Sequence, residues 1–220
     1  AVLRKDENLR TVGVRGVYTG IKGLTLGLEG AMQFGDHVVD TTLYPDDGLP
    51  TNSKLSRKVT AHAIQATADY LIRCPKIKKY DPSVRASYTY LSGDKYLSIS
   101  DNYTGWNAMF EDQAGGTIFN KILAYTNAQL FNVGATIKPM DDVTAALDYY
   151  YLRLNYPYND LTGVTQVHLS GVSTDPTYIM TNAHSLGHEI DLKLTYDYTE
   201  DVQFSLNGGT FIPGEAFSSQ

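Results

Sequence analysis

From Gly187 to Asp197 the chain reads GHEIDLKLTYD, with Ile190, Leu192, Leu194 and Tyr196 alternating strictly with Glu189, Asp191, Lys193 and Thr195. Period two puts the two sets on opposite faces of an extended strand, one apolar and one charged. A helix of period 3.6 would mix them on every face, so this stretch predicts a strand. After the link Tyr198 to Asp201, Val202, Phe204 and Leu206 alternate with Gln203, Ser205 and Asn207. The two runs read as a tight hairpin.

The same grammar recurs upstream. A strand near Thr11 to Thr19, with Val12, Val14 and Tyr18 opposite Arg15, turns at Gly20 to Gly23. It is followed by Leu24, Leu26, Leu28, Met32 and Phe34, which alternate with Thr25, Gly27, Glu29, Ala31 and Gln33. A second pair runs over Lys58 to Arg73, where Ile64, Ala66, Ala68, Tyr70 and Ile72 oppose Gln65, Thr67 and Asp69, and over Val84 to Leu91, where Val84, Ala86, Tyr88 and Tyr90 oppose Arg85, Ser87 and Thr89. A third pair covers Gln129 to Lys138 and Val143 to Tyr156, with Asp148 on the polar side. About eight antiparallel strands result, an all-β fold.

The links between these strands alternate in length. They are short near 20–23, 74–83, 139–142 and 198–201, and long near 35–57, 92–128 and 157–186. Short turns at one end and long loops at the other are the rule of transmembrane barrels and are uncommon in soluble antiparallel domains. No apolar run approaches the length of a membrane-spanning helix, which leaves barrel strands of about 9 to 11 residues as the route across a bilayer. The expectation is therefore a transmembrane antiparallel β-barrel. A complete bacterial barrel begins and ends on its periplasmic side. Here the first strand begins and the eighth ends on the other side, so residues 1–220 read as part of one barrel domain, incomplete at both ends, or completed by another chain. The alternative is a self-closed eight-strand barrel.

In a membrane barrel the apolar face meets lipid and the polar face lines the lumen. Arg15, Glu29, Asp69, Arg85, Asp148, Glu189, Asp191 and Lys193 are then the channel-lining candidates, with Gln33, Gln65 and Gln203 among them. Of the long connections, Asp101 to Asn120 is the most apolar, with Trp106, Met109, Phe110, Ile118 and Phe119. A loop of this kind can fold inward, so Trp106, Phe110 and Phe119 are read as a constriction loop, the alternative being packing between loops at the outer rim, and Gly115 and Gly116 supply the flexibility or tight bend either needs.

Eighteen Lys and Arg against twenty-four Asp and Glu give a net charge of −6, which argues against a nucleic-acid partner. Cys74 is single, so no disulfide and no zinc cluster follows. His184 and His188 stand four apart, but at a loop-to-strand transition that spacing does not define a metal site. The acidic loop Tyr44 to Gly48 reads as a solvated turn. No nucleophile, phosphate-binding or dinucleotide motif is present, and no enzyme or cofactor is expected. Arg73, Lys76, Lys78 and Lys79 cluster in one short turn, where they would meet phospholipid headgroups or serve only solubility.

Two segments carry a family likeness. Gly105 to Asp112, GWNAMFED, and His188 to Phe217, HEIDLKLTYDYTEDVQFSLNGGTFIPGEAF, resemble the alginate-export-type family of outer-membrane channels. The resemblance covers the C-terminal part at motif level and the rest by pattern. It implies a larger barrel of roughly eighteen strands in the bacterial outer membrane, and diffusion of a solute through its lumen. Its partners would be outer-membrane lipid, lipopolysaccharide and a hydrophilic solute such as a polysaccharide or its fragments, with an envelope complex as a further option. The charge departs from a polyuronate path, which should be lined by Arg and Lys. Two rival readings are a structural or adhesion barrel with a plugged lumen, and a soluble β-barrel that binds a small ligand.

Overall fold

A computed structural model describes residues 8–40, 54–94, 102–108, 116–122, 126–157, 166–168, 177–179 and 181–217. The alternating segments form one antiparallel sheet in the order β1 (Asn8–Ile21), β2 (Leu24–Asp40), β3 (Lys54–Leu71), β4 (Ser83–Leu91), β5 (Ala128–Met140), β6 (Val143–Leu154), β9 (Ser185–Asp197) and β10 (Gln203–Pro213). Each strand is paired with its neighbours in the sequence of hairpins, so the sheet is a meander. It is open: β1 and β10 are its edges and do not pair with each other, so a self-closed eight-strand barrel is not what forms. The long connection after β6, read above as loop, contains a separate two-stranded ribbon of β7 (Gln166–His168) and β8 (Thr177–Ile179).

β2 and β3 run further than their alternation predicts, shrinking the connection read as 35–57. The ladder continues there on polar rungs: Lys58 Nζ meets Asp36 Oδ1 at 2.7 Å and Ser56 donates to the same oxygen at 3.4 Å. Backbone pairing needs no apolar side chain, so a strand can outlast its hydrophobic pattern.

At the short-turn end the hairpins close over Lys22–Gly23, Asp141–Asp142 and Tyr198–Val202. The β3–β4 link is longer and ordered by its own bonds. Lys78 N donates to Cys74 O at 2.8 Å, Tyr80 N to Ile77 O at 2.9 Å, and Asp81, at φ 42, ends a single 3-10 turn over Lys78–Tyr80.

The register places every even-numbered residue of β1 to β4, β9 and β10, with the odd-numbered ones of β5 and β6, on one face. Away from its long-connection end, where Arg10, Asp36, Lys58 and Arg153 stand, that face is bare and apolar. Val14, Leu28, Met32, Val133 and Leu206 are each 60% or more exposed. Buried residues lie elsewhere: Val59, Ala61, Leu91, Ala128, Leu130, Leu152 and Leu154 form a core on the opposite, polar face, together with Trp106, Phe119, Leu186 and Ala216. This core sits at the long-connection end and is covered by the β4–β5 connection, not by a second sheet.

Candidate functional site

Two adjacent register rows of the polar face build the site. In one, Asp69, Arg85, Gly134, Asp148, Asp191 and Gly209 stand side by side on consecutive strands. Arg85 and Asp148 are separated by β5, yet their side chains form a two-pronged ion pair, with Arg85 Nε donating to Asp148 Oδ1 at 2.7 Å and Nη2 to Oδ2. The glycine between them permits this: a Cβ at Gly134 would overlap both the carboxylate and the guanidinium. Asn132 Nδ2 donates to the same carboxylate at 3.1 Å. In the row above, Thr67, Ser87, Asn132, Tyr150, Glu189 and Phe211 follow one another.

Glu189 is the hinge of the site. Its carboxylate is fully buried and accepts three successive backbone N–H groups from the β4–β5 connection: Thr117 at 2.7 Å and Ile118 at 2.8 Å on Oε1, and Phe119 at 2.7 Å on Oε2. Thr117 N also reaches Asp191 Oδ2 at 2.9 Å. These N–H groups enter a single helical turn, α1 (Phe119–Ile122), and would be orphaned without an acceptor. Gly116 precedes them at φ 87, where a Cβ would strike the Phe119 ring. Phe119 itself is buried and meets Tyr150 edge-on, centroids 5.5 Å apart.

The first half of the same connection is fixed to the other side of the sheet. Tyr103 bridges β3 in parallel, with Thr60 N donating to Tyr103 O and Tyr103 N to Lys58 O, both at 2.8 Å. Gln33 binds Asn107 twice, donating from Nε2 to its O at 2.8 Å and accepting its N–H at 2.9 Å. Arg57, whose side chain is almost wholly buried, pairs with Asp94 at 2.8 Å and lies over the Tyr103 ring at 5.4 Å. Ser92 ties the base of the loop, accepting Trp106 N at 2.8 Å on its carbonyl and donating Oγ to Thr104 O at 2.7 Å. One connection thus spans the polar face from β2 to β9.

All eight channel-lining candidates stand on the polar face, but in three environments. Arg15 and Glu29 face each other at 3.9 Å and are exposed, and Asp69 and Lys193 are also open. Arg85 and Asp148 are joined as described. Asp148, Glu189 and Asp191 are buried, so these carboxylates hold the wall and the loop and do not front an aqueous space. Of the constriction candidates, Trp106 and Phe119 are buried in the loop core, and Phe110 lies outside the described residues. The acidic loop Tyr44 to Gly48 and Gly115 also lie outside them. Sequence reasoning passed over Gln33 as an anchor and Arg57 altogether, and neither position carries a local signal of its role.

The apolar face has a matching organisation. His62 stacks on Tyr90 at 5.4 Å, Tyr88 packs on Phe131 at 4.8 Å, Phe131 on Tyr151 at 6.0 Å, and Tyr151 on His188 at 5.1 Å, with Tyr149 Oη and His188 Nδ1 2.7 Å apart. This row crosses β3 to β9 near the long-connection end. A second set at the short-turn end includes Tyr18, Tyr70, Tyr196, Tyr198 and Phe204, the last three in edge-on contact. Between the rows the face carries no charged residue on any strand.

A family model for alginate export matches residues 2–220. The chain belongs to the alginate export family. The match extends the resemblance from the C-terminal half to the whole chain, and alginate export membership implies a bacterial outer-membrane transport protein, not a member of an enzyme family. A comparison with curated proteins gives no match.

Two outcomes follow from the geometry. Glu189→Ala leaves the Ile118 and Phe119 N–H groups without their acceptor, while Thr117 N–H keeps Asp191, and should cost about 2 to 4 kcal/mol. Hydrogen exchange should then rise at residues 117–119 first, while exchange in β2 and β3 stays as in the parent. Gly134→Val should break the Arg85–Asp148 pair, lowering stability by about 1 to 3 kcal/mol in denaturant titration, whereas Gly208→Val on the bare face should be near neutral.

Proposed function

We propose that this chain forms wall strands of a transmembrane β-barrel channel of the outer membrane, with its bare face to lipid and its polar face to the lumen. The observation that carries the reading is the uncharged apolar band bounded by two aromatic rows. A soluble sheet would bury such a face, since contiguous exposed apolar patches on soluble proteins rarely exceed a few hundred Å². From His62 to Tyr70 on β3, and from His188 to Tyr196 on β9, the rise is about 26 Å along the strand. A tilt of roughly 40° reduces this to about 20 Å, and the rings add the remainder of the roughly 25 Å band that barrels present to lipid. The open edges β1 and β10 suit a larger barrel, of about eighteen strands as the family resemblance implies.

The solute is a polysaccharide or its fragments, in keeping with the family's export role, and it passes by diffusion past the polar rows. The β4–β5 connection then acts as the constriction, held in the long-connection half of the band by Glu189 and Asp191. A barrel plugged by that loop, serving structure or adhesion, is the second reading, and the breadth of the loop's anchoring favours it.

Planar-bilayer conductance separates the two. Open channels in the parent, with larger unit conductance in Glu189→Ala, are the expected result; a clean preparation that never opens in either form sinks the channel reading. Leu192→Arg, at the middle of the band, should cost about 2 to 4 kcal/mol in lipid vesicles. Little change there would reverse the face assignment.

A further inference from the structure

The short-turn end is electrically lopsided. Lys22 in the β1–β2 turn and Arg73, Lys76, Lys78 and Lys79 in the β3–β4 link are all exposed, with Asp81 as the link's carboxylate. The two turns abut, because Leu71 N donates to Gly23 O at 2.8 Å. Further along the same end the β5–β6 turn carries Asp141 and Asp142 beside Lys138, and the β9–β10 turn carries Glu200 and Asp201 after Asp197. Both sectors have aromatic feet, so the rings alone do not account for the cations.

The basic sector is also built for an interface between oil and water. Tyr18 and Tyr70 stand on the apolar face at its edge, and Ile77 and Tyr80 in the link are exposed beside the lysines. Lys79 Nζ lies over the Tyr80 ring at 4.6 Å. The link's internal hydrogen bonds hold its backbone in one arrangement, so the cations project from a fixed base. Ammonium groups beside amphipathic rings and an apolar side chain match the chemistry of a phospholipid: phosphate above, acyl chain below. An acidic protein would need no such apolar footing.

We propose that the β1–β2 and β3–β4 turns form a docking surface for the phosphate groups of anionic phospholipids in the leaflet that the short turns face. This rests on the membrane-spanning reading above. The test reconstitutes the full chain in vesicles of phosphatidylcholine with and without phosphatidylglycerol, and counts the lipids that remain bound on extraction by native mass spectrometry. The parent should retain phosphatidylglycerol preferentially, less so at high salt, and K76Q/K78Q/K79Q should lower that retention at least about tenfold. E200K/D201K, which makes the β9–β10 turn basic beside Tyr198, should gain retention, and it keeps the test decisive if the triple variant folds poorly.

Unchanged phosphatidylglycerol retention in the triple variant overturns the proposal. So does displacement of the lipid by millimolar glycerol phosphate, which would mark a site for the free anion, and so does loss of an acidic periplasmic partner in the variant at unchanged lipid retention. A parent that fails to insert into phosphatidylcholine alone refutes the membrane reading; insertion without preference for phosphatidylglycerol refutes only this inference.

Discussion

A one-residue slip in β4, β6 or β9 would exchange that strand's faces and drive Arg85, Asp148 or Glu189 through to the bare side. The rest of the structure depends on that phase. It is held partly by the tight turns and partly by side chains that can reach their partners only in this register: Arg85 meets Asp148 across Gly134, and Glu189 meets the loop beside Tyr150. If the apolar face meets lipid, as proposed, it adds a penalty for any slip, because a charge on it would have no partner and no water. Polar contacts on one side and the prohibition of charge on the other therefore specify the same register.

The polar face also solves a problem that an inward-folded loop creates. A connection laid across a sheet brings its own N–H and C=O groups with it, and each needs a partner once water is excluded. Here the wall supplies them from both directions. Lys58 O, Ser92 and the Gln33 amide serve the first half, and the carboxylates of Glu189 and Asp191 serve the second. Charged acceptors fit the second half because three consecutive donors converge there, more than one neutral side chain could satisfy. Burial of Glu189 is thus a consequence of the loop's backbone geometry, and the aromatic contact of Phe119 with Tyr150 closes the same spot.

Much of this was legible in the chain because strand phase is written locally. The eight strands, the short turns and the face of every charged candidate follow from alternation alone, which needs no knowledge of partners. What alternation cannot carry is depth and cover. Leu91, Leu130, Leu152 and Leu154 fall in the polar phase, so at that end both phases are apolar and the pattern no longer says which face is lipid and which is core. Arg57 and Gln33 look like any polar residue on a strand; their roles arise from Asp94 and Asn107, distant in sequence and brought near by a long connection. The ribbon of β7 and β8 was missed for the opposite reason, its strands being too short to display a period.

Internal pairing also changes what the face offers to a solute. Counted as a composition, its candidates include five carboxylates and three cations, which reads as acidic. Yet the Asp148 charge is neutralised by Arg85, Glu189 is enclosed by loop donors, and Asp191 is buried beneath the same loop. Were a solute to pass along this wall, it would meet Arg15 with Glu29, and Asp69 and Lys193, a sparse and nearly balanced set. Such a surface exerts little long-range focusing on a charged chain and acts mainly through width and hydrogen bonding. Selection by charge in this family member would then have to arise at the mouth or on other strands, and selection by size at the loop that Glu189 holds in place.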